Sequence, residues 1–574
     1  MNDNRNMLLA IVLSALVLIG WSLLSEKVFP TSGPQTVKVE NGDAKAVAQP
    51  AADPGADAPQ AIRARGVVLG ETPRVRIATA SLAGSINLKG ARFDDLVLVR
   101  QREGVAKDSP PVRLLSPAGA KGAYFAGFGW TGQGVATPDG NTLWTASAPN
   151  LAPGKPVTLS WSNPTGQRFE LIVSVDDGYL FTVRQRVANY GPAPVVVTAY
   201  GLASRAEKSA DASSWTTHVG PMSFLGAKAD YGVDWDTLDE DKAGVTHDSR
   251  GGWLGFTDKY WLTALVPANG AQVAASFRKS ASGAYQADYA GAPTIVAPGQ
   301  AVSGEARLFA GAKEKVWLDR YEAAGITKLS KSIDWGWFEW FMRPIFSLLQ
   351  WLFAVTGNFG VAIICLTFVV RLLMFPIADK QFRSMAGMRR VQPKLKAIQE
   401  RYKADKPKLQ SEMLKLYQAE KINPAAGCLP ILLQIPVFYA LYKVLMVSVE
   451  MRHQPFALWI KDLSAPDPMT PLNLFGLLDF TPPHFLALGV LPILLGVTMW
   501  MQFKLNPAQM DPTQQQIFSI MLWVLMFVMA PFAAGLQLYW VVSNILTIAQ
   551  QKWLYHRYDL QKDSDAEGAV PAHK

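Results

Sequence analysis

The sequence predicts a polytopic α-helical membrane protein with six spans, joined to a large all-β domain. Three observations predict it. Six apolar runs occur, one at the amino terminus and five after residue 357. Between them a long region alternates apolar and polar residues at period two, the pattern of half-buried strands. Hydrophobic residues make up 49% and charged residues 18%, with 18 tryptophans, a balance that suits a membrane protein with a folded external part.

The elements follow in order. Residues 1–30 read as an N-terminal transmembrane anchor, since Met7 to Leu24 are apolar or small. A cleaved signal peptide would need a small-x-small site after its core, where Trp21, Leu23 and Leu24 stand. Residues 31–60 are rich in Pro, Ala, Gly and Asp and read as a flexible linker. Residues 61–330 carry the strand pattern: Phe169, Leu171, Val173 and Val175 fall on one side, and turns such as "DDG" and "NYGPAP" punctuate at short intervals. This predicts a β-sandwich, with "AKEKVWLDRYEAAGITKLSKS" as a helix leading away from it. Residues 331–357 form an aromatic helix whose polar residues Glu339, Arg343, Ser347 and Gln350 lie on one narrow stripe. Such a helix suits the membrane interface. A second span covers 358–378. Residues 379–423 read as a helical hairpin, with Met385, Met388, Val391, Leu395, Ile398 and Tyr402 on one apolar face and Leu409, Met413 and Leu416 on the other. Spans three to six occupy 424–553, as Leu429–Val449, Phe485–Phe503, Ile517–Ala530 and Leu536–Trp553. A short tail, 554–574, closes the chain.

Lysine and arginine assign the sides. The segment from Asp379 to Lys421 holds twelve bases and five acids, whereas 451–484 holds only Arg452 and Lys461 as bases. The positive-inside rule puts the basic hairpin in the cytoplasm. Both termini are then cytoplasmic, and the β domain lies outside. The net charge of +9 is therefore mostly a property of one hairpin and does not imply nucleic-acid sequence recognition. The hairpin bases, among them Arg389, Arg390, Lys394, Lys396, Arg401 and Lys403, read either as a solvated, topology-setting surface or as a contact for anionic headgroups, a ribosome or a targeting factor.

Several functions are excluded by what is missing. Only Cys365 and Cys428 occur, so no disulfide framework is implied. Six scattered histidines offer no metal-ligand spacing, and no phosphate-binding loop occurs. No cofactor is expected. The β domain contains His218 and His247 but no paired acid and base, which argues against an envelope enzyme. A small-anion transporter would show repeat symmetry between halves, and none is visible.

One residue breaks the apolar pattern. Arg371 sits inside "TFVVRLLMFPIADKQ", eight residues before Asp379, or about 12 Å along a helix. A charge at that depth is costly and marks a bundle interior or watery cavity. Thr367 is one turn away on the same helix. Gln434 lies in the third span. Gln537, Asn544, Thr547 and Gln551 line one side of the last. These polar groups read either as a shared hydrophilic groove or as interhelical hydrogen-bond glue.

The segments "TFVVRLLMFPIADKQ", "MRRVQPKLKAIQERY", "EKINPAAGCLPILLQIPVFYALY", "PFALWIKDLSAPDP" and "GLQLYWVVSN" resemble the YidC membrane-protein insertase family, continuously from about Trp335 to Trp553. The β domain after a first span resembles the Gram-negative branch, whose domain is a β-supersandwich of the sugar-mutarotase type. That likeness implies no mutarotase activity. The resemblance implies an insertase and chaperone of the inner membrane, not an enzyme, which moves spans of nascent membrane proteins into lipid alone or beside the Sec translocon. Phospholipids, and ribosome or signal-recognition components, remain candidate partners on the second reading of the basic hairpin given above. The resemblance implies groove roles for Arg371, Thr367, Gln434, Tyr539 and Trp540, to which the shared polar side of the last span adds Asn544. It also implies a hydrophobic slide built from Ile435 and Phe438 on one side and Met521 and Leu525 on the other.

Overall fold

The computed structural model describes residues 62–567 except 107, 212–216, 227, 242, 337, 403–404, 421–428, 476–477, 479–487 and 506–511. The predicted N-terminal anchor and the linker through residue 60 lie outside the described residues. The described chain forms two compact units that divide between Asp334 and Trp335.

The first unit is a sandwich of an eleven-stranded and a nine-stranded sheet. The strand Gln167–Val175 illustrates why. Its odd-numbered residues are buried and its even-numbered ones half-buried or exposed. Phe169, Leu171 and Val173 thus face inward, as period two requires. The chain turns back at Asp176, whose carboxylate accepts from Gly178 N at 2.9 Å and Leu180 N at 3.1 Å. The returning strand, Leu180–Asn189, pairs antiparallel with Val175 opposite Phe181. At its end Asn189 ties the "NYGPAP" turn, accepting from Gly191 N at 2.9 Å and donating to Ala193 O at 2.8 Å.

Aromatic rings join the two sheets across the core. Phe169 meets Trp130 edge-on at 5.3 Å, Phe181 meets Phe93 at 5.2 Å, and Phe256 meets Tyr124 at 6.2 Å. Such pairs add to the burial each ring contributes. The helix Lys315–Ala323 does not lead away from the sandwich. It packs back on it, because Leu318 and Tyr321 form a buried face. The Tyr321 hydroxyl donates to Asp176 at 2.7 Å and accepts from Tyr179 N at 2.8 Å. Gly178 has to be glycine there, since a Cβ would lie 2.1 Å from that hydroxyl.

The second unit contains seven α-helices among the described residues. These are α1 (Glu339–Thr356), α2 (Phe359–Arg401), α3 (Lys406–Ala419), α4 (Leu429–Val447), α5 (Val490–Leu505), α6 (Pro512–Met529) and α7 (Ala534–Glu567). Helix α1 buries Met342, Phe346, Leu349 and Leu352 and leaves Trp340 and Trp351 exposed. It stops at Gly357, whose φ of 68° closes the helix by returning an N–H to Phe353 O. Asn358 then caps α2, its side chain accepting from Val361 N at 3.1 Å.

Helix α2 runs 43 residues without interruption, so the apolar run and the first arm of the basic hairpin are one rod. Val391 and Leu395 are buried on the predicted apolar face of that arm. Asp405 caps the second arm through Lys408 N at 3.1 Å. The part of α2 from Phe359 to Asp379 is long and apolar enough to cross a membrane, and only 28% of that stretch is buried, unlike a soluble core helix. The other apolar stretches among the described residues, 434–447, 490–505 and 519–529, are shorter.

Candidate functional site

Three helices bring the singled-out polar residues together. Helix α7 lies along α2 and α5, and more sparingly against α4. Arg371 on α2 points at α7, where its Nε donates to Ser543 Oγ at 3.1 Å and its Nη2 bonds the same oxygen. One turn before Ser543, the buried Tyr539 accepts a hydrogen bond from Gln434 of α4. The cluster is thus Arg371, Ser543, Tyr539 and Gln434, one residue from α2, two from α7 and one from α4. Among the described residues no carboxylate pairs with Arg371.

The neighbouring Phe438 and Trp540 meet edge to face at 4.7 Å. They form an apolar wall beside the polar cluster, again between α4 and α7. Ile435 of α4 is 57% exposed and Met521 of α6 is 46% exposed, while Phe438 and Leu525 are half-buried. On α6 Ile520, Trp523, Val524, Phe527 and Val528 also face outward. An apolar surface that large on a folded chain marks contact with another apolar medium or partner.

Other predicted site residues go elsewhere. Thr367 is fully buried, and its hydroxyl donates back to Ile363 O at 2.7 Å within its own helix. Asn544 turns to α5 and donates to Thr498 Oγ1 at 3.1 Å. Gln537 caps the end of α6, donating to Met529 O at 2.9 Å and Phe532 O at 2.8 Å. Gln537 and Asn544 thus bond to neighbouring helices, whereas Gln434 and Tyr539 lie with Arg371. The hairpin bases are only partly placed. Lys394 pairs with Glu420 at 2.6 Å and Arg401 is exposed. The side chains of Arg389, Arg390 and Lys396, and the whole of Lys403, lie outside the described residues.

The sequence reading passed over two residues. Ser543 carries no signal of its own, because a serine in an apolar helix is unremarkable until a partner 172 residues away is known. Lys443, 1% exposed within α4, did carry one: a single cation inside an apolar run, the signal that singled out Arg371. No group of three or more His, Cys, Asp or Glu side chains suited to a metal occurs among the described residues.

Comparison with known proteins accounts for both units. The family described as "YidC periplasmic domain" matches residues 74–348, and the family described as "60Kd inner membrane protein" matches residues 351–562. A membrane protein insertase YidC from Zymomonas mobilis is 47% identical over 100% of this chain and 99% of its own length. One from Rhizobium etli is 44% identical over 98% of this chain and 97% of its own. A crystal structure of an active YidC insertase aligns over 94% of this chain and 98% of that one, at 17% identity and a TM-score of 0.36. On the strength of the sequence matches, which span both units, this inner-membrane protein with its β-rich periplasmic domain belongs to the YidC family of membrane protein insertases.

Proposed function

We propose that the Arg371 cluster is the floor of a hydrophilic groove through which the insertase receives its clients. The observation that carries this reading is an arginine inside an apolar helix, held by the hydroxyl of Ser543 and, among the described residues, by no acid. A polar groove open to the cytoplasm shortens the apolar distance that a client's external tail must cross. The cation attracts an acidic or polar tail. The client's own span then leaves along the exposed apolar surfaces of α4 and α6, from Ile435 and Phe438 to Met521 and Leu525, into lipid. Burial of the client's apolar span supplies the driving force, aided by the membrane potential acting on tail charge. No step requires a nucleotide or cofactor.

The remaining parts take supporting roles in this reading. The chain crosses the membrane six times with both termini in the cytoplasm. Helix α1 lies along the outer interface, its exposed tryptophans at headgroup level. The hairpin of α2 and α3 presents its bases to anionic headgroups and to ribosome or signal-recognition components. The insertase works alone or beside the Sec translocon.

The test replaces Arg371 with glutamine and, separately, deletes most of the β domain. Insertion of small single-span clients is followed in cells depleted of the native protein. The groove reading predicts impaired insertion for the Arg371 variant. Normal insertion of acidic-tailed clients by that variant contradicts it. Loss of insertion on removing the β domain assigns that domain an essential role outside the membrane.

A further inference from the structure

A buried guanidinium is ordinarily met by a carboxylate, because an isolated charge in a medium of low polarity is costly. Half-buried arginines of the β unit obey this: Arg74 meets Asp94, Arg205 meets Asp258, and Arg278 meets Asp288. Arg371 instead places two donor nitrogens on one hydroxyl oxygen, that of Ser543. Ser543 is itself 1% exposed and well fixed. Its backbone carbonyl accepts from Thr547 Oγ1 at 2.7 Å, and the turn before it carries Tyr539, tied to Gln434.

A hydroxyl and a carboxylate differ in what they leave behind. Both fix the direction of a guanidinium. A carboxylate also cancels its charge through a paired, charge-assisted bond. A hydroxyl supplies only a dipole, so the arginine is aimed while its positive charge remains available to a third group. We propose that Ser543 is the positioning residue for Arg371, and that its neutrality sets the insertase's preference for clients with acidic tails. The inference rests on the groove reading above and adds the residue that makes the cation selective.

The test compares two single-span clients that differ only in their external tail, one with several Asp and Glu, the other with the same positions changed to Asn and Gln. The full-length insertase is reconstituted in vesicles, and the quantity read is the ratio of acidic-tail to neutral-tail insertion. The ratio is expected to fall by roughly tenfold in both Arg371→Gln and Ser543→Asp, since each removes the uncompensated charge. Ser543→Ala is expected to give an intermediate ratio, and Ser543→Thr, which keeps a hydroxyl, a ratio near that of the native protein. An unchanged ratio in Arg371→Gln overturns the groove reading itself. A collapsed ratio in Arg371→Gln with a native ratio in Ser543→Asp overturns the role of Ser543 alone. Should Ser543→Asp fail to accumulate, the alanine and threonine variants decide. Equal ratios in those two overturn the proposal, and a higher ratio for threonine supports it.

Discussion

In the β unit Arg278 reaches Asp288 at 3.1 Å, and the same carboxylate accepts from Ser276 at 3.0 Å and Gln286 at 2.8 Å. In the helical unit Arg371 reaches, among the described residues, only the hydroxyl of Ser543. The first arrangement consumes its charge within the fold. Burial still pushes the Asp288 carboxyl above its usual range despite the arginine beside it. The second holds a cation in place and leaves its charge uncancelled. The difference teaches how to tell a structural charge from a functional one here. The question is not whether a charge is buried but whether its partners neutralise it.

The largest expected effect tests the structural side. Asp288→Ala strands Arg278, whose side chain is 17% exposed, and should destabilise the periplasmic domain by about 3–5 kcal/mol. Thermal unfolding of the full chain in detergent reads this, and a change below 1 kcal/mol, an order-of-magnitude bound on an exposed pair, would place Asp288 among surface ion pairs instead. The tail preference of any variant that still folds should be unaltered.

A smaller effect separates glue from groove. Asn544→Ala removes the bond to Thr498 and should cost about 0.6–1.7 kcal/mol of helical-unit stability. The acidic-to-neutral insertion ratio should stay at its native value. A fall in that ratio as large as that of Arg371→Gln would return Asn544 to the client path.

The smallest effect concerns pH and the β unit. His218 lies against Pro221 O, to which its Nε2 donates at 2.8 Å, and burial lowers its affinity for a proton below the ordinary 6.5. Asp334 and Asp230 oppose that shift and Lys313 adds to it. The unfolded chain takes up a proton near the ordinary value while the folded one does not, so stability is lost as pH falls below 6.5 towards the depressed folded value. Melting curves between pH 7.5 and 5 should show a decline, and His218→Gln should flatten it. An identical slope in that variant assigns the decline to other groups.

Much of the fold was legible in the sequence. Period two in "RFELIVSV" predicted the buried side of a strand, since side-chain direction in a strand is fixed by parity alone. The helical runs were legible for a similar reason. What the sequence left open was tertiary. Gln537, Asn544 and Gln551 share one side of α7, and spacing establishes that much. Spacing does not say which neighbour that side meets, and the neighbours are α6 for Gln537 and α5 for Asn544. Arg371 was visible because a charge in an apolar run is rare. Ser543 was invisible because its role exists only through a contact between helices far apart in the chain. The helix Lys315–Ala323 returned to the sandwich for the same kind of reason. Its buried Tyr321 has a partner, Asp176, that local pattern does not reveal.

The most direct test of an uncancelled charge is to reverse it. Arg371→Glu is combined with clients whose external tails are acidic, neutral or basic, and insertion of each is measured at equal insertase levels. A cation that selects by charge predicts an inverted order, with the basic tail now inserted best and the acidic tail worst. An order that stays the same as in the native protein, at whatever overall rate, would mean that Arg371 acts through its bulk or hydrogen bonds, and that its charge is not what the client reads.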